Sequence, residues 1–97
     1  MVIERSELPI VGGKEQIFER AFAKAGQLLR SAKGCRDVRL ARGVENPSGC
    51  LLLIEWDSID AHKAFTSTPE FAQFRELVGV YFAGKPSTGH FEPTDPA

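Results

Sequence analysis

The run Cys50-Leu51-Leu52-Leu53-Ile54-Glu55-Trp56 places six apolar side chains around one glutamate. It constrains the fold more than any other stretch, because a strand apolar on both of its alternating faces needs cover on both sides. Asn46-Pro47-Ser48-Gly49 stands before it and reads as a turn, in which Pro presets φ and Gly accepts the positive φ that closes the loop. The segment ahead of that turn, Cys35 to Glu45, has period two. Val38, Leu40 and Val44 share one face with Arg36 and Arg42, and Cys35, Asp37, Arg39 and Ala41 take the other. A hairpin follows from this pattern, with its second strand central in a sheet. Helices are expected over one face of that strand and another subunit over the other.

The rest of the chain supplies the cover. Val2 to Ile10 mixes β-formers with charges, and Pro9 followed by Gly12-Gly13 ends what reads as an edge-tolerant strand. From Lys14 the apolar residues Ile17, Phe18, Ala21, Phe22, Ala25, Leu28 and Leu29 recur at spacings of three and four, which predicts an amphipathic helix stopped at Gly34. After Trp56, Asp57 or Ser58 can cap a short helix that turns Ile59, Ala61, His62 and Phe65 inward. Ser67-Thr68-Pro69-Glu70 has capping-box spacing and starts another helix, striped by Phe71, Phe74, Leu77, Val78 and Tyr81 and ended by Gly84-Lys85-Pro86. Ser87 to Glu92 reads as a fourth strand, and Pro93 to Ala97 as a frayed tail. The order β-α-β-β-α-α-β is an α+β, ferredoxin-like plan: a split βαβ unit on a four-stranded antiparallel sheet, with its last helix broken in two.

Composition narrows the classes of function. At 97 residues the chain makes one domain, large enough for a core without metal or disulfide. A net charge of −1 gives no electrostatic footprint for nucleic acid or an anionic membrane. No apolar run reaches the roughly 20 residues of a membrane span, and Met1-Val2-Ile3-Glu4-Arg5 is unlike a signal peptide, so the expected location is cytoplasmic. The cysteines, Cys35 and Cys50, are expected as reduced thiols, although a hairpin leaves open a bridge between them under oxidation. Nothing matches a nucleophile elbow, a P-loop or a dinucleotide fingerprint.

Leu53-Ile54-Glu55-Trp56-Asp57-Ser58, the helix from Ala61-His62 to Phe65, Ser67-x-Pro69-Glu70-Phe71 and the closing His90-Phe91-Glu92 together resemble the antibiotic biosynthesis monooxygenase (ABM) family of dimeric α+β barrels. The resemblance implies a homodimer of face-to-face sheets, with a cavity between the sheet and helices of each subunit. It also implies a monooxygenase that works on a small aromatic or quinol-like substrate without a cofactor. Haem degraders of the family carry a Trp and a His at the helical positions held here by Phe65 and Arg75, and an Asn in strand one, where this chain has none. The alternative is a non-catalytic dimeric binder of small molecules, or a stress-associated protein, with its interior filled by its own side chains.

Within that frame His62 is the candidate general base, since imidazole titrates near neutrality and can take a phenolic proton. Tyr81, Arg75 and His90 are candidates for orienting the substrate, and Trp56 and Phe65 for an aromatic slot. The implied partners are a second copy of the chain and a small hydrophobic or aromatic ligand, with neither nucleic acid nor membrane and no metal.

Overall fold

The computed structural model describes residues 1–94, so residues 95–97 of the expected tail lie outside the described residues. The elements are β1 (Val2–Pro9), α1 (Glu15–Arg30), β2 (Cys35–Arg42), β3 (Gly49–Trp56), α2 (Ile59–Phe65), α3 (Pro69–Val78), a single 3-10 turn over Gly79–Tyr81, and β4 (Ser87–Phe91). They make the expected α+β, ferredoxin-like arrangement: a four-stranded sheet in the order β2-β3-β1-β4, each neighbouring pair antiparallel, with all helices on one face. None of these helices is long and apolar enough to cross a membrane.

β1 is interior rather than edge-tolerant, because β3 and β4 flank it and leave β2 and β4 at the edges. Pro9 is compatible with that place because it is the last residue of the strand, paired with Gly49, where the ladder stops. Alternation along β3 sets the core. Cys50, Leu52, Ile54 and Trp56 are buried beneath the helices, whereas Leu51, Leu53 and Glu55 on the far face are only partly covered. From α1, Phe18, Phe22, Ala25 and Leu29 come down on the buried side, at about 1.5–3 kcal/mol for each large apolar side chain removed from water. Ile17, which the helical spacing assigns to the stripe, remains 43% exposed at its margin.

Several boundaries move by a residue or more. β2 ends at Arg42 because the Gly43 N–H donates to the Gly49 carbonyl at 2.8 Å, and Val44 consequently stands out of the sheet, 90% exposed, instead of joining Val38 and Leu40. A bulge between Cys35 and Asp37 shifts Cys35 onto the core side, opposite Trp56. Gly49 closes the hairpin without a positive φ, which among the described residues occurs only at Gly13 and Gly34. At α3 the cap is Thr68, not Ser67: its hydroxyl accepts from the Phe71 N–H at 3.2 Å, Pro69 takes the first helical position, and the reciprocal Glu70 contact of a capping box is not formed. The helix gives way at Val78 to the 3-10 turn, well before Gly84.

Two local features aim α2. Ser58 caps it, accepting the Ala61 N–H at 3.1 Å. The Gly34 carbonyl, on a residue at φ +85°, accepts the Asp57 N–H at 2.8 Å, and a Cβ on Gly34 would lie 2.7 Å from that of Ala61. Only glycine fits both the left-handed backbone and this close approach, so the α1–β2 connection presses directly on the start of α2.

The hairpin register also settles the cysteines. Cys35 pairs with Trp56 and Cys50 with Arg42, near opposite ends of the ladder and about 20 Å apart at strand rise, so no bridge can form between them. Both are free thiols, and burial pushes both thiol pKa values up.

Candidate active site

On the helix-facing side of β1 the side chains run Leu8, Ser6, Glu4, passing from apolar core to a polar floor. The β1–β4 register sets Thr88 beside Ser6 and His90 beside Glu4, and α2 brings His62 across the top. Between this floor and α3 opens a cleft of about 1000 Å³, with Phe71, Phe74 and Phe82 along its walls and Arg75 and Lys85 among its polar lining.

Glu4 is 6% exposed, and a carboxyl group so placed needs its oxygens satisfied. Three groups do this. The Trp56 indole N–H donates to Oε1 at 2.9 Å, the Ser6 hydroxyl donates to Oε2 at 3.0 Å, and Nε2 of His62 lies 3.3 Å from Oε1. Ser6 has one hydrogen and gives it to Glu4, so the 2.8 Å contact between Ser6 and Thr88 is donated by Thr88.

The same logic sets the tautomer of His62. Nε2 faces a carboxyl oxygen and therefore carries the hydrogen; Nδ1 is left as an acceptor, and it lies 2.7 Å from Nε2 of His90. The His62 ring stacks on Trp56 with centroids 5.3 Å apart and planes 16° from parallel, which fixes its orientation. Burial depresses the pKa of His62 below the usual imidazole value; the nearby Glu4 pulls it back up and His90 pushes it further down. The neutral ring is favoured at neutral pH, and in its other tautomer, with the hydrogen on Nδ1, it can accept a proton at Nε2.

The predicted site residues separate into groups. His62 and Arg75 meet at the cleft, with the Arg75 guanidinium 5.8 Å above the Phe71 ring and in no ion pair among the described residues. Trp56 is fully buried beneath His62, and Phe65 lies behind Trp56 at 5.8 Å. His90 is exposed and borders a second, shallower depression with Asp57, Asp60 and Glu92. Tyr81 stands apart from both, edge-on to Phe18 at 6.5 Å and beside Ile17 and Leu77. No group of three or more His, Cys, Asp or Glu side chains is arranged to hold a metal ion among the described residues.

Sequence reasoning missed Glu4, Ser6 and Thr88. A signal existed: Glu4 falls on the same period-two face as Leu8, so an inward Leu8 implies an inward carboxyl. Taking β1 for an edge strand made that carboxyl look like ordinary surface charge.

The sequence profile of the family described as antibiotic biosynthesis monooxygenase matches residues 1–77. The chain belongs to this family. Among ABM proteins, a Bordetella bronchiseptica structure provisionally named an antibiotic biosynthesis monooxygenase superposes with a TM-score of 0.93 at 32% identity, over 96% of each chain. The uncharacterised protein YczJ of Bacillus subtilis (strain 168) is 31% identical over 93 residues, covering 95% of this chain and 98% of its own. A variant of SnoaB, a cofactor-independent oxygenase from Streptomyces nogalater, superposes with a TM-score of 0.82 over 99% of this chain and 97% of that one. At 18% identity, that likeness is one of fold alone.

Proposed function

We propose that this ABM-family chain is a monooxygenase that deprotonates a small aromatic or quinol-like substrate in the Glu4–His62 cleft and lets the resulting anion react with dioxygen, without a resident cofactor. The observation that carries the reading is the pair of a buried carboxyl and a half-buried imidazole on the floor of an open, phenylalanine-walled cleft. A titratable group perturbed by burial in a concave apolar site, as His62 is, is a general mark of catalysis.

The proton-accepting unit is the Glu4–His62 pair, with Arg75 placed to hold developing negative charge on the ring oxygens. Deprotonation breaks the substrate O–H bond and leaves its electron pair on oxygen. The electron-rich anion gives an electron to dioxygen, recombination forms a carbon–oxygen bond as a peroxide, and loss of water yields the quinone. One substrate and one dioxygen thus become one oxidised product and one water.

Oxygen consumption over a panel of phenols and hydroquinones checks this. The wild-type protein should turn over at least one of them, and His62→Ala should lower that rate about 10²-fold or more, the usual span of a general base. An equal rate in the variant would overturn the role of His62. Uptake with no substrate, alongside ligand-induced thermal stabilisation, would favour a non-catalytic binding protein.

The reading includes a homodimer. On the sheet face away from the helices, Leu51 and Leu53 are half-covered and Phe91 is 52% exposed, and pairing that face with a second copy would remove an association-prone surface from water. Sedimentation equilibrium at micromolar concentration should give twice the 10.7 kDa chain mass, and a monomer there would refute it.

A further inference from the structure

We propose that His90 is the solvent-side member of a proton relay, Glu4/His62 to His90 to water, which keeps the base of the cleft in exchange with bulk solvent while a bound substrate fills the cleft. The inference rests on the function proposed above and adds a residue that does not line the reacting space. It also adds a direction for the proton.

The geometry is that of a wall with one group on each side. His62 and Glu4 line the main cleft; His90 does not, and instead borders the depression on the other side of the imidazole pair, where it is exposed. Between the two rings only the 2.7 Å contact from Nδ1 to Nε2 intervenes, with ring centroids 5.0 Å apart. A substrate seated against Phe71 and Phe74 would cover the cleft side of His62, and the face of that ring is already covered by Trp56. The remaining way out for a proton on His62 is through Nδ1, and His90 is there.

The transfer balances. A proton arriving from the substrate adds to Nε2 of His62 in the tautomer that holds its hydrogen on Nδ1, and Oε1 of Glu4 accepts the new N–H. The Nδ1 proton passes to Nε2 of His90, and His90 releases the hydrogen on its own Nδ1 to water. One proton enters, one leaves, and no electrons move. The end state is the arrangement seen: Nε2–H of His62 towards Glu4, and Nδ1 of His62 accepting from Nε2–H of His90. When the peroxide later loses water, the reverse path returns the proton and restores both tautomers.

The groups that set the pH dependence come from every element packed around the pair: Glu4 on β1, Asp57 and Asp60 at the start of α2, and Glu92 after β4. Three of these border the outer depression, where Asp57 is paired with Arg36. In this relay Glu4 and His90 are positioning residues that act through His62.

The experiment uses His90→Ala and His90→Gln in the full chain, with folding checked by circular dichroism. In oxygen uptake with the best hydroquinone probe, His90→Ala should lower kcat about tenfold or more with KM little changed, and free imidazole in the buffer should restore the rate in proportion to its concentration. A variant with wild-type kcat, or a loss that imidazole does not rescue in a folded protein, overturns the relay. Nitrogen-15 NMR of the imidazoles gives a readout independent of turnover. The His62 titration should be coupled to the neighbouring ring in the wild type, and His90→Gln should leave it simple with a raised midpoint. A His62 titration indifferent to His90→Gln refutes the relay even if the enzyme is active. Coupled titration in a protein that oxidises no probe would support the relay geometry and refute the function.

Discussion

Trp56→Ala is expected to bring the protein close to unfolding at room temperature. The indole is fully buried, carries the His62 ring on one side and packs against Phe65, so truncation opens a cavity that costs about 3–5 kcal/mol. It also removes the N–H that satisfies Glu4 at 2.9 Å, and leaving a buried acceptor short of a partner adds about 1–3 kcal/mol. Together these approach the 5–15 kcal/mol, roughly, that holds an ordinary domain folded. Trp56→Phe separates the two losses, keeping most of the packing while giving up the hydrogen bond, and should cost only about 1–3 kcal/mol. Urea denaturation at equal protein concentration measures both, since the proposed dimerisation would make the midpoint depend on concentration. If Trp56→Ala moved the midpoint no more than Trp56→Phe, the indole would be held for its hydrogen bond to Glu4 and not for the volume it fills.

The contrast between those variants also explains what could be read from the residues in advance. Period two in β2, the nearly unbroken apolar run of β3 and period 3.6 in α1 report on burial averaged over an element, so the element order and the central place of β3 follow from them directly. Where one backbone hydrogen bond decides an end, the pattern fails. Gly43 closing onto Gly49 strands Val44 in solvent, and Thr68 outcompetes Ser67 as a cap although both are hydroxyl residues one position apart. The candidate site was half legible for a related reason. His62 could be placed because its inward face follows from the spacing of Ala61 and Phe65 on its own helix. Its partners Glu4 and His90 come from two other elements, and their convergence depends on the β1–β4 register, which no local pattern encodes. Tyr81, placed on the α3 stripe by periodicity, leaves it because the helix yields to a 3-10 turn two residues earlier and redirects the ring towards Phe18.

Glu4→Gln should leave the fold nearly intact and remove most of the activity, and this pairing of effects is what distinguishes a functional carboxyl from a structural one. The amide keeps the volume and an oxygen that can accept from Trp56, and its NH2 can rotate towards Ser6, whose own hydroxyl is free to turn, so the loss of stability at neutral pH should stay within about 1 kcal/mol. What disappears is the negative charge opposite Nε2 of His62. Glu4 is the group that raises the pKa of His62 against burial and His90, so without it that pKa falls further below the usual imidazole value. Two results follow with definite sign. Nitrogen-15 titration should show the His62 midpoint moving down, and oxygen uptake should drop about 10²-fold because the imidazolium formed on deprotonation has lost its counter-charge. For stability, a histidine whose pKa is lower folded than unfolded contributes fully above about pH 6.5 and loses that contribution as the pH falls through the folded value. A lower folded pKa in Glu4→Gln extends the acid loss over a wider range, so the variant should unfold at higher pH than the wild type on acid titration. A variant that kept its activity, or one whose His62 midpoint moved up, would show that the carboxyl serves packing alone.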